Sequence, residues 1–470
     1  MAPKNTLLKT YLPPIIVILG VSGDLAKRKV LPALYHLLKD GLLPPKTLII
    51  GTSRNDIKSD QIISDLELCI IGENKSCDPT VLKKFKSIFK VIKFDPNDTK
   101  SFFNLKQTLN NYETKHKTCF NRFFYLSVPP NVVQPIVKKL GIVNLNSKCS
   151  HDKANSFLLM EKPFGSDLDS AKALIKETAR FFEEDQIYRI DHYLAKESAQ
   201  NILTFRKNNP IFEDLWSNKY ISKITISALE KLGIEQRVNF YEHTGALRDL
   251  IQSHLIQLLS LVTMKVPDNL DDSSLIHKHK LKLLKSVNEV SLFDIKNNLV
   301  AGQYKGYLQE VHNPNSKTET YIKIKLTINS KEWHNVPIYL ETGKSLNVKQ
   351  TEIKIYFISP NDTKQQNILS FRIQPNEGID IVLNVKEPGL NPKIVPVNMD
   401  FSYKNNFIEP NHPDAYERVL IDAIRGDSSL FASSEDVLQS WRIIEPILKY
   451  WEKNDKNLKI YPKSAKLPIK

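Results

Sequence analysis

Cysteine is scarce in this chain, and the few cysteines follow no recognised spacing. Four occur among 470 residues, at positions 69, 77, 119 and 149, with no Cys-x-x-Cys pair and no histidine at metal-ligand spacing. The sequence therefore predicts neither a disulfide framework nor a zinc or other metal site. A reducing cytoplasm is the predicted location.

Long apolar runs and clusters of charge of one sign are also missing. No segment approaches the ~18 consecutive apolar residues that span a bilayer, so no membrane association is expected. The formal net charge is +14, but the lysines are interleaved with acids rather than gathered into one arm. This distribution argues against a nucleic-acid partner and remains compatible with small anionic ligands. With 41% apolar and 25% charged residues, the composition is that of a globular protein long enough for two domains.

The first part of the chain alternates between strand-like and helix-like patterns. Residues 15–19 form a β-branched apolar run, helical spacing follows over residues 25–38, and a short apolar strand is predicted at residues 47–50. Further strands are predicted at residues 91–94, 123–126 and 157–159. We therefore predict an α/β, Rossmann-like doubly wound domain over residues 1–190, with a parallel sheet.

Strand-like segments lie closer together in residues 191–470. They are predicted at residues 221–228, 321–328, 353–358 and 379–385, and helical patterns separate them at residues 246–263 and 412–425. We predict a larger α+β domain with a mostly antiparallel sheet. The lysine-rich tail, residues 451–470, is predicted to be solvated or loosely docked.

A glycine-containing turn follows the first predicted strand. A dinucleotide pyrophosphate at such a turn would meet backbone N–H groups and a helix N-terminus, although a purely structural turn is the alternative. The second strand ends at Arg54, where an NAD enzyme usually carries an acid for the ribose hydroxyls; an arginine suits a 2′-phosphate instead. We therefore predict NADP as the coenzyme, with Ser53 and Lys27 as further candidate contacts. The predicted coenzyme residues are Gly20, Ser22, Gly23, Asp24, Leu25 and Arg54.

The segment Arg189–Glu197 combines an acid, an imidazole, a phenol and an ammonium group. His192 and Lys196 are four residues apart, so on a helix they would share one face and could bind a dianion. A phosphorylated substrate is the predicted ligand. A solvated helix start with ordinary charge pairs is the alternative.

His254 lies inside the apolar stripe of a predicted amphipathic helix, residues 246–262. An imidazole that points inward can meet a carboxylate from another segment, and Asp191 is the candidate. Such a pair would fix one tautomer and leave the other ring nitrogen as a base. A hydrogen-bonded core histidine is the alternative. Asp249 would lie about 140° round a standard helix from His254, so it is expected to be a solvated or capping acid.

Four motifs occur in an order that resembles the glucose-6-phosphate dehydrogenase family over nearly the whole chain. They are Gly20–Leu25, Glu161-Lys162-Pro163-Phe164-Gly165, Arg189–Glu197, and Arg248-Asp249 with Gln252–Leu255. The resemblance implies oxidation of D-glucose 6-phosphate at C1 by NADP, giving 6-phosphoglucono-1,5-lactone, the entry step of the oxidative pentose phosphate pathway. It also implies a homodimer or homotetramer formed through the second domain. The alternatives are another sugar oxidoreductase of the glucose–fructose oxidoreductase type and a non-catalytic NADP-binding paralogue.

The resemblance further implies a role for each matched residue. His254 corresponds to the general base and Asp191 to its paired carboxylate, whereas Lys162 contacts both substrate and coenzyme beside Pro163. The implied substrate contacts are Lys162, His192, Tyr193, Lys196, Glu230, Asp249, Lys344 and Lys349. The chain departs from the family at Ala195, at Glu242-His243-Thr244 and at residues 458–470, which lack a Trp-Gly-Pro ending. We therefore predict no second, structural NADP site.

Overall fold

The computed structural model describes residues 12–72, 77–149, 154–235, 237–359, 365–390, 393–407 and 413–467. These residues form two compact units. The first unit contains the described residues up to Gly165, together with Lys172–Ala195 and Pro413–Ser434. The second contains Ser166–Ala171, the described part of Lys196–His412, and the chain from Glu435 onward.

The described residues contain the following strands. They are β1 (Pro14–Leu19), β2 (Leu48–Ser53), β3 (Phe89–Lys93), β4 (Asn121–Leu126), β5 (Ser156–Met160), β6 (Ile187–Ile190), β7 (Ile221–Leu229), β8 (Val300–Tyr304), β9 (Tyr321–Leu326), β10 (Ile338–Gly343), β11 (Gln350–Phe357), β12 (Ile368–Gln374), β13 (Gly378–Lys386), β14 (Ile394–Ser402), β15 (Phe431–Ala432) and β16 (Lys459–Tyr461). All strands predicted from the sequence are present, with ends that differ by a few residues.

The helices alternate with these strands. They are α1 (Leu31–Lys39), α2 (Ser59–Gly72), α3 (Pro79–Ile88), α4 (Thr99–His116), α5 (Pro130–Ile142), α6 (Leu168–Thr178), α7 (Glu197–Asn208), α8 (Pro210–Glu213), α9 (Val238–Ala246), α10 (Ile256–Thr263), α11 (Ser273–Ser286), α12 (Leu292–Asn297), α13 (Tyr307–Glu310), α14 (Tyr403–Asn406), α15 (Ala415–Arg425) and α16 (Ser434–Lys453). Two segments, Ala26–Val30 and Leu247–Leu255, are π-helical, and Glu184–Gln186 is a 3₁₀ turn. Of the helices in the described ranges, none is long and apolar enough to cross a membrane.

The first unit is built on a seven-stranded sheet of order β15-β6-β5-β4-β1-β2-β3. Strands β1 to β6 are parallel, and only β15 runs antiparallel, against β6. Every residue of β1 and β2 is buried, as expected for strands covered on both faces. The predicted doubly wound, Rossmann-like domain is confirmed. Its parallel strands bring the residues that follow β1, β4, β5 and β6 to one edge of the sheet.

The second unit is built on a nine-stranded sheet of order β14-β13-β12-β11-β7-β10-β9-β8-β16. Its pairings are antiparallel except β7 with β10 and β8 with β16. The predicted α+β domain with a mostly antiparallel sheet is confirmed. The prediction of a solvated or loosely docked tail was wrong, because β16 joins this sheet and Tyr461 is only 2% exposed. Residues 468–470 of that tail lie outside the described residues.

One disulfide bond contradicts the sequence prediction. Cys119 and Cys149, which are 30 residues apart, are joined in the first unit. A spacing of 30 residues matches no known cysteine motif. The pairing depends instead on how the chain around β4 and β5 folds, where Cys149 donates its N–H to the Ala154 carbonyl (3.0 Å) and Asn121 begins β4.

Candidate active site

The turn after β1 depends on a glycine at its first position. Gly20 has a φ of 90°, in the left-handed region that favours glycine. A Cβ at this position would overlap the Ser127 carbonyl oxygen. Hydrogen bonds close the turn, from Gly20 N–H to Thr52 Oγ1 (3.3 Å), Val21 N–H to the Thr52 carbonyl (2.9 Å) and Gly23 N–H to the Gly20 carbonyl (3.0 Å). The Gly20 backbone therefore packs directly against the Ser127 carbonyl, and the hydrogen bonds fix the shape of the turn.

The charged residues around this turn differ in their contacts. Lys27 Nζ lies 2.8 Å from Asp65, a residue of α2, and Asp24 forms an ion pair with Arg28 at 2.7 Å. Ser53 is buried, and its Oγ accepts the Asn55 N–H (3.2 Å). Arg54 is exposed at the end of β2. Lys27 and Ser53 thus have structural partners within the unit, and Arg54 has the solvent access that a 2′-phosphate contact requires.

A carboxyl group that the sequence reasoning did not assign lies at the end of β5. Glu161 Oε1 accepts a hydrogen bond from Tyr125 Oη at 2.5 Å. The pKa of Glu161 is raised to about 7; burial is the main cause and Asp191 adds to it, whereas the Tyr125 hydroxyl and Lys162 lower it. The motif Glu161-Lys162-Pro163 was the available signal. Its lysine was assigned a role, but the environment of its glutamate depends on β4 and β6, which local sequence does not reveal.

Residues 189–196 are not helical, so the condition under which His192 and Lys196 would share a helical face is not met. Strand β6 ends at Ile190, turns follow, and α7 begins only at Glu197, with Lys196 as its N-cap residue. Asp191 sets the turn because its Oδ1 accepts the Tyr193 N–H at 3.0 Å, an arrangement that competes with helix formation.

The side chains of this segment have separate environments. Arg189 forms an ion pair with Glu184 (2.8 Å) and donates to Ser434 Oγ (2.7 Å), so its role is structural. Asp191 and Tyr193 are buried. The His192 ring lies 5.1 Å from the Tyr193 ring and stacks against Tyr416 at 6.4 Å between centroids. In the first unit, the acid, imidazole and phenol are therefore neighbours at one sheet edge.

His254 and Asp249 lie on a π-helical segment rather than on a standard α-helix. The predicted helix over residues 246–263 is divided into the end of α9, the π-helix Leu247–Leu255 and α10. Hydrogen bonds in a π-helix join residues five apart. Asp249 and His254 are five residues apart, so they share one side of the helix. The prediction that Asp249 would be a solvated acid on another face was wrong, since Asp249 is 5% and His254 1% exposed.

Glu230, Lys344 and Tyr241 form a second group in the second unit. Lys344, in the loop after β10, makes an ion pair with Glu230 at the end of β7. The Lys344 ammonium also lies 5.2 Å from the centre of the Tyr241 ring. Burial and the nearby carboxylates of Asp249, Glu319 and Glu230 raise the pKa of Tyr241 well above its usual value. Asp249 is therefore electrostatically close to this group.

Two further predicted features have clear positions. Lys349 is exposed, immediately before β11. The side chain of Glu242, in the segment where the chain departs from the family, accepts hydrogen bonds from Tyr307 (2.8 Å), Ser316 (2.9 Å) and Asn313 (2.9 Å). Glu242 is thus a structural anchor of α9.

The predicted site residues fall into two sets. The first unit carries Gly20, Ser22, Gly23, Asp24, Leu25, Arg54, Lys162, Asp191, His192 and Tyr193, and the second carries Lys196, Glu230, Asp249, His254, Lys344 and Lys349. Within each unit the geometry brings several of them together. The pairing of Asp191 with His254 joins residues of different units and stays a prediction.

Comparison with known proteins gives concordant matches along the chain. Residues 17–201 match the sequence model of the glucose-6-phosphate dehydrogenase NAD binding domain, and residues 203–470 match that of the glucose-6-phosphate dehydrogenase C-terminal domain. Glucose-6-phosphate 1-dehydrogenase of Borreliella burgdorferi is 39% identical over 457 residues, covering 93% of this chain and 91% of the relative. The Bacillus subtilis enzyme of the same name is 35% identical, covering 95% and 94%.

Solved structures agree with these matches. A glucose-6-phosphate dehydrogenase in complex with its substrate glucose-6-phosphate superposes with a TM-score of 0.90 and 32% identity, covering 98% of this chain and 96% of that one. Glucose-6-phosphate 1-dehydrogenase from Mycobacterium avium superposes with a TM-score of 0.83 and 29% identity, covering 97% and 95%.

Proposed function

Because the chain belongs to the glucose-6-phosphate dehydrogenase family, we propose which of its residues bind the coenzyme, bind the substrate and carry out the reaction. The protein is an NADP-dependent oxidoreductase that converts D-glucose 6-phosphate to 6-phospho-D-glucono-1,5-lactone and NADPH. The match to the family over both parts of the chain carries this conclusion. We assign coenzyme binding to residues 1–190, and substrate binding and subunit association to residues 191–470.

The turn at Gly20–Leu25 is the proposed pyrophosphate site, and Arg54 is the proposed partner of the 2′-phosphate. Support comes from the place of this turn after β1, at the edge of the parallel sheet where dinucleotides bind, and from the exposure of Arg54. These residues would hold NADP, which would supply the acceptor for the hydride from C1 of the sugar. The exposed position of Ser22 and Asp24 in the same turn suits contacts with the coenzyme backbone.

His254 is the proposed general base, which takes the proton of the C1 hydroxyl as the hydride leaves. His254 is only 1% exposed, so its ring is shielded from bulk water. Asp191 is the proposed orienting carboxylate, and Asp249, which shares a side of the π-helix with His254, is a proposed contact of the sugar. Oxidation thus needs the proton to go to His254 and the hydride to go to the coenzyme.

The remaining polar residues are proposed to hold the substrate. His192, Tyr193 and Lys196 would bind the phosphate, since a dianion is held best by several charged or hydroxyl donors. Glu230, with its partner Lys344, would contact the sugar, together with Lys162 and Lys349. His192 and Lys196 would bind the phosphate from the turn before α7 and from its N-cap, and not from one face of a helix.

A comparison of substrates tests these assignments. With NADP, purified protein should form NADPH rapidly from glucose 6-phosphate, and kcat/KM for free glucose should be lower by at least ~10²-fold because the phosphate contacts are lost. Equal kcat/KM values for the two sugars would reject the proposed phosphate site. Failure of folded protein to oxidise glucose 6-phosphate would reject the function itself.

We propose that the protein assembles as a homodimer or homotetramer through the second unit's sheet. Support comes from the edge strand β14, where Ile394, Val397 and Met399 are 59%, 43% and 61% exposed. An exposed apolar edge strand is a surface that another chain can cover. Light scattering should give at least twice the monomer mass, whereas a monomer at micromolar concentration would reject the proposal.

We propose the cytoplasm as the location. Fractionation of cells, with maleimide labelling of free thiols in the same sample, measures both the compartment and the state of the Cys119–Cys149 pair. Recovery in another compartment would reject the proposed location.

A further inference from the structure

The chain ends in a segment that is tied to the proposed substrate site. This C-terminal segment, residues 454–467, contains β16, which pairs in parallel with β8 through Lys459 with Gly302 and Tyr461 with Tyr304. Tyr461 and Ala465 are both buried. The segment carries four lysines and would be expected at the surface, so the burial of Tyr461 must come from contacts with other parts of the unit.

The first set of contacts holds the loop that carries Lys344. The Tyr461 hydroxyl donates to the Lys344 carbonyl (2.8 Å), Ser464 N–H donates to the Ser345 carbonyl (2.8 Å), and Asn347 N–H donates to the Ala465 carbonyl (3.0 Å). Ser345 has a φ of 56°, a conformation that residues other than glycine rarely adopt. A loop in such a conformation persists only where its surroundings fix it, and the C-terminal segment supplies three of the hydrogen bonds that do so.

The second contact reaches the helix that carries Asp249 and His254. Glu319 is fully buried and accepts the N–H of Leu247, the first residue of the π-helix, at 3.1 Å. Lys456 of the C-terminal segment lies 2.8 Å from the other carboxylate oxygen of Glu319. A buried carboxylate needs a cationic partner, and a negative charge at a helix N-terminus is favourable. Lys456 therefore supports the group that fixes the start of the helix.

We propose that the C-terminal segment is a positioning element of the substrate site, in which Tyr461 fixes the backbone of Lys344 and Lys456, through Glu319, fixes the helix of Asp249 and His254. The proposal rests on the proposed function, because it takes Lys344 as a substrate contact and His254 as the base. Tyr461 and Lys456 are positioning residues: neither is proposed to touch the reacting atoms, and each acts through another residue.

Tyr461→Phe tests the first contact, because it removes the hydroxyl and keeps the ring. We expect KM for glucose 6-phosphate to rise roughly 3- to 10-fold, because one to two hydrogen bonds that position the Lys344 loop are lost. The values of kcat and of KM for NADP should stay within about twofold of wild type. Tyr307→Phe is the matched control. Tyr307 is also buried, and its ring lies in the same aromatic cluster, but its hydroxyl donates to Glu242.

Lys456→Gln tests the second contact, with Lys463→Gln as its control. We expect kcat to fall roughly 3- to 10-fold in Lys456→Gln. Lys463 belongs to the same segment but pairs with Glu310 at 2.7 Å, so its replacement should leave kcat unchanged. Hydrogen exchange in peptides spanning residues 344–347 should be faster in Tyr461→Phe than in wild type and Tyr307→Phe.

The experiments distinguish failure of the proposed function from failure of the positioning role. No oxidation of glucose 6-phosphate by wild type overturns the proposed function. Normal wild-type activity with an unchanged KM in Tyr461→Phe, or with an equal rise in both tyrosine variants, overturns the positioning role. If Tyr461→Phe does not fold, an unchanged kcat in Lys456→Gln overturns the proposal, and a selective fall relative to Lys463→Gln supports it.

Discussion

Replacing Glu161 with glutamine isolates one charge at the carboxyl edge of the first unit's sheet. Burial is the main cause that raises the pKa of this carboxyl from 4.5 to about 7, with Asp191 adding to it and Tyr125 and Lys162 opposing it. Glutamine has nearly the same shape and can still accept the Tyr125 hydroxyl. The substitution therefore removes the titration while largely preserving the packing.

The sign of the effect follows from proton linkage. The folded protein binds the Glu161 proton more tightly than the unfolded chain, so the stabilising contribution is complete below pH 4.5 and is lost as the pH rises to about 7. The change in pKa corresponds to about 3 kcal/mol. Because the Glu161 side chain keeps partial solvent access, we expect roughly half of this, ~1–2 kcal/mol, to be measurable.

Urea unfolding of both proteins between pH 4.5 and 8 measures this contribution. The free energy of unfolding of Glu161→Gln, relative to wild type, should increase by ~1–2 kcal/mol over this range. The control is Glu67→Gln, at an exposed position of α2, whose difference from wild type should stay constant with pH. Parallel pH profiles for wild type and Glu161→Gln would contradict a raised pKa at Glu161, as would an equal change with pH in Glu67→Gln.

Three other substitutions test the site more directly. Arg54→Ala should raise KM for NADP by ~10-fold or more through loss of charge-assisted hydrogen bonds, with KM for glucose 6-phosphate unchanged; an unchanged KM for NADP removes Arg54 from the coenzyme site. His254→Asn should lower kcat by ~10²-fold or more with little change in substrate binding, whereas retained turnover would make His254 a core residue. Gly245→Ala should lower both the unfolding midpoint and kcat, because Gly245 has a φ of 67° and an added Cβ would overlap Glu319. Wild-type values for both would show that the close contact between the Gly245 backbone and Glu319 is not required.

The fold was predictable where the sequence carries a local signal. The β-branched run of β1 and the alternation of strands with helices specify a parallel sheet, and buried strands need apolar side chains on both faces. Arg54 at the end of β2 and His254 in an apolar stripe were likewise visible in sequence. These features depend on the period of a few neighbouring residues, which is the information that a single sequence contains.

The features that sequence reasoning missed depend on distant partners or on backbone detail. The apolar spacing over residues 247–255 suits an α-helix and a π-helix alike, so the shared side of Asp249 and His254 could not be read from it. The turn at Asp191 is set by a hydrogen bond from the Tyr193 N–H. Strand β16 has lysine-rich surroundings and becomes a strand only through β8.

Transfer of deuterium from the substrate to the coenzyme measures whether the hydride passes directly from C1. Glucose 6-phosphate deuterated at C1 is oxidised in ordinary water with NADP, and the NADPH is analysed by mass spectrometry. We expect one deuterium in each NADPH, because the hydride passes directly from C1 to the nicotinamide while only the hydroxyl proton goes to His254. NADPH without deuterium, or no NADPH from folded protein, would contradict it.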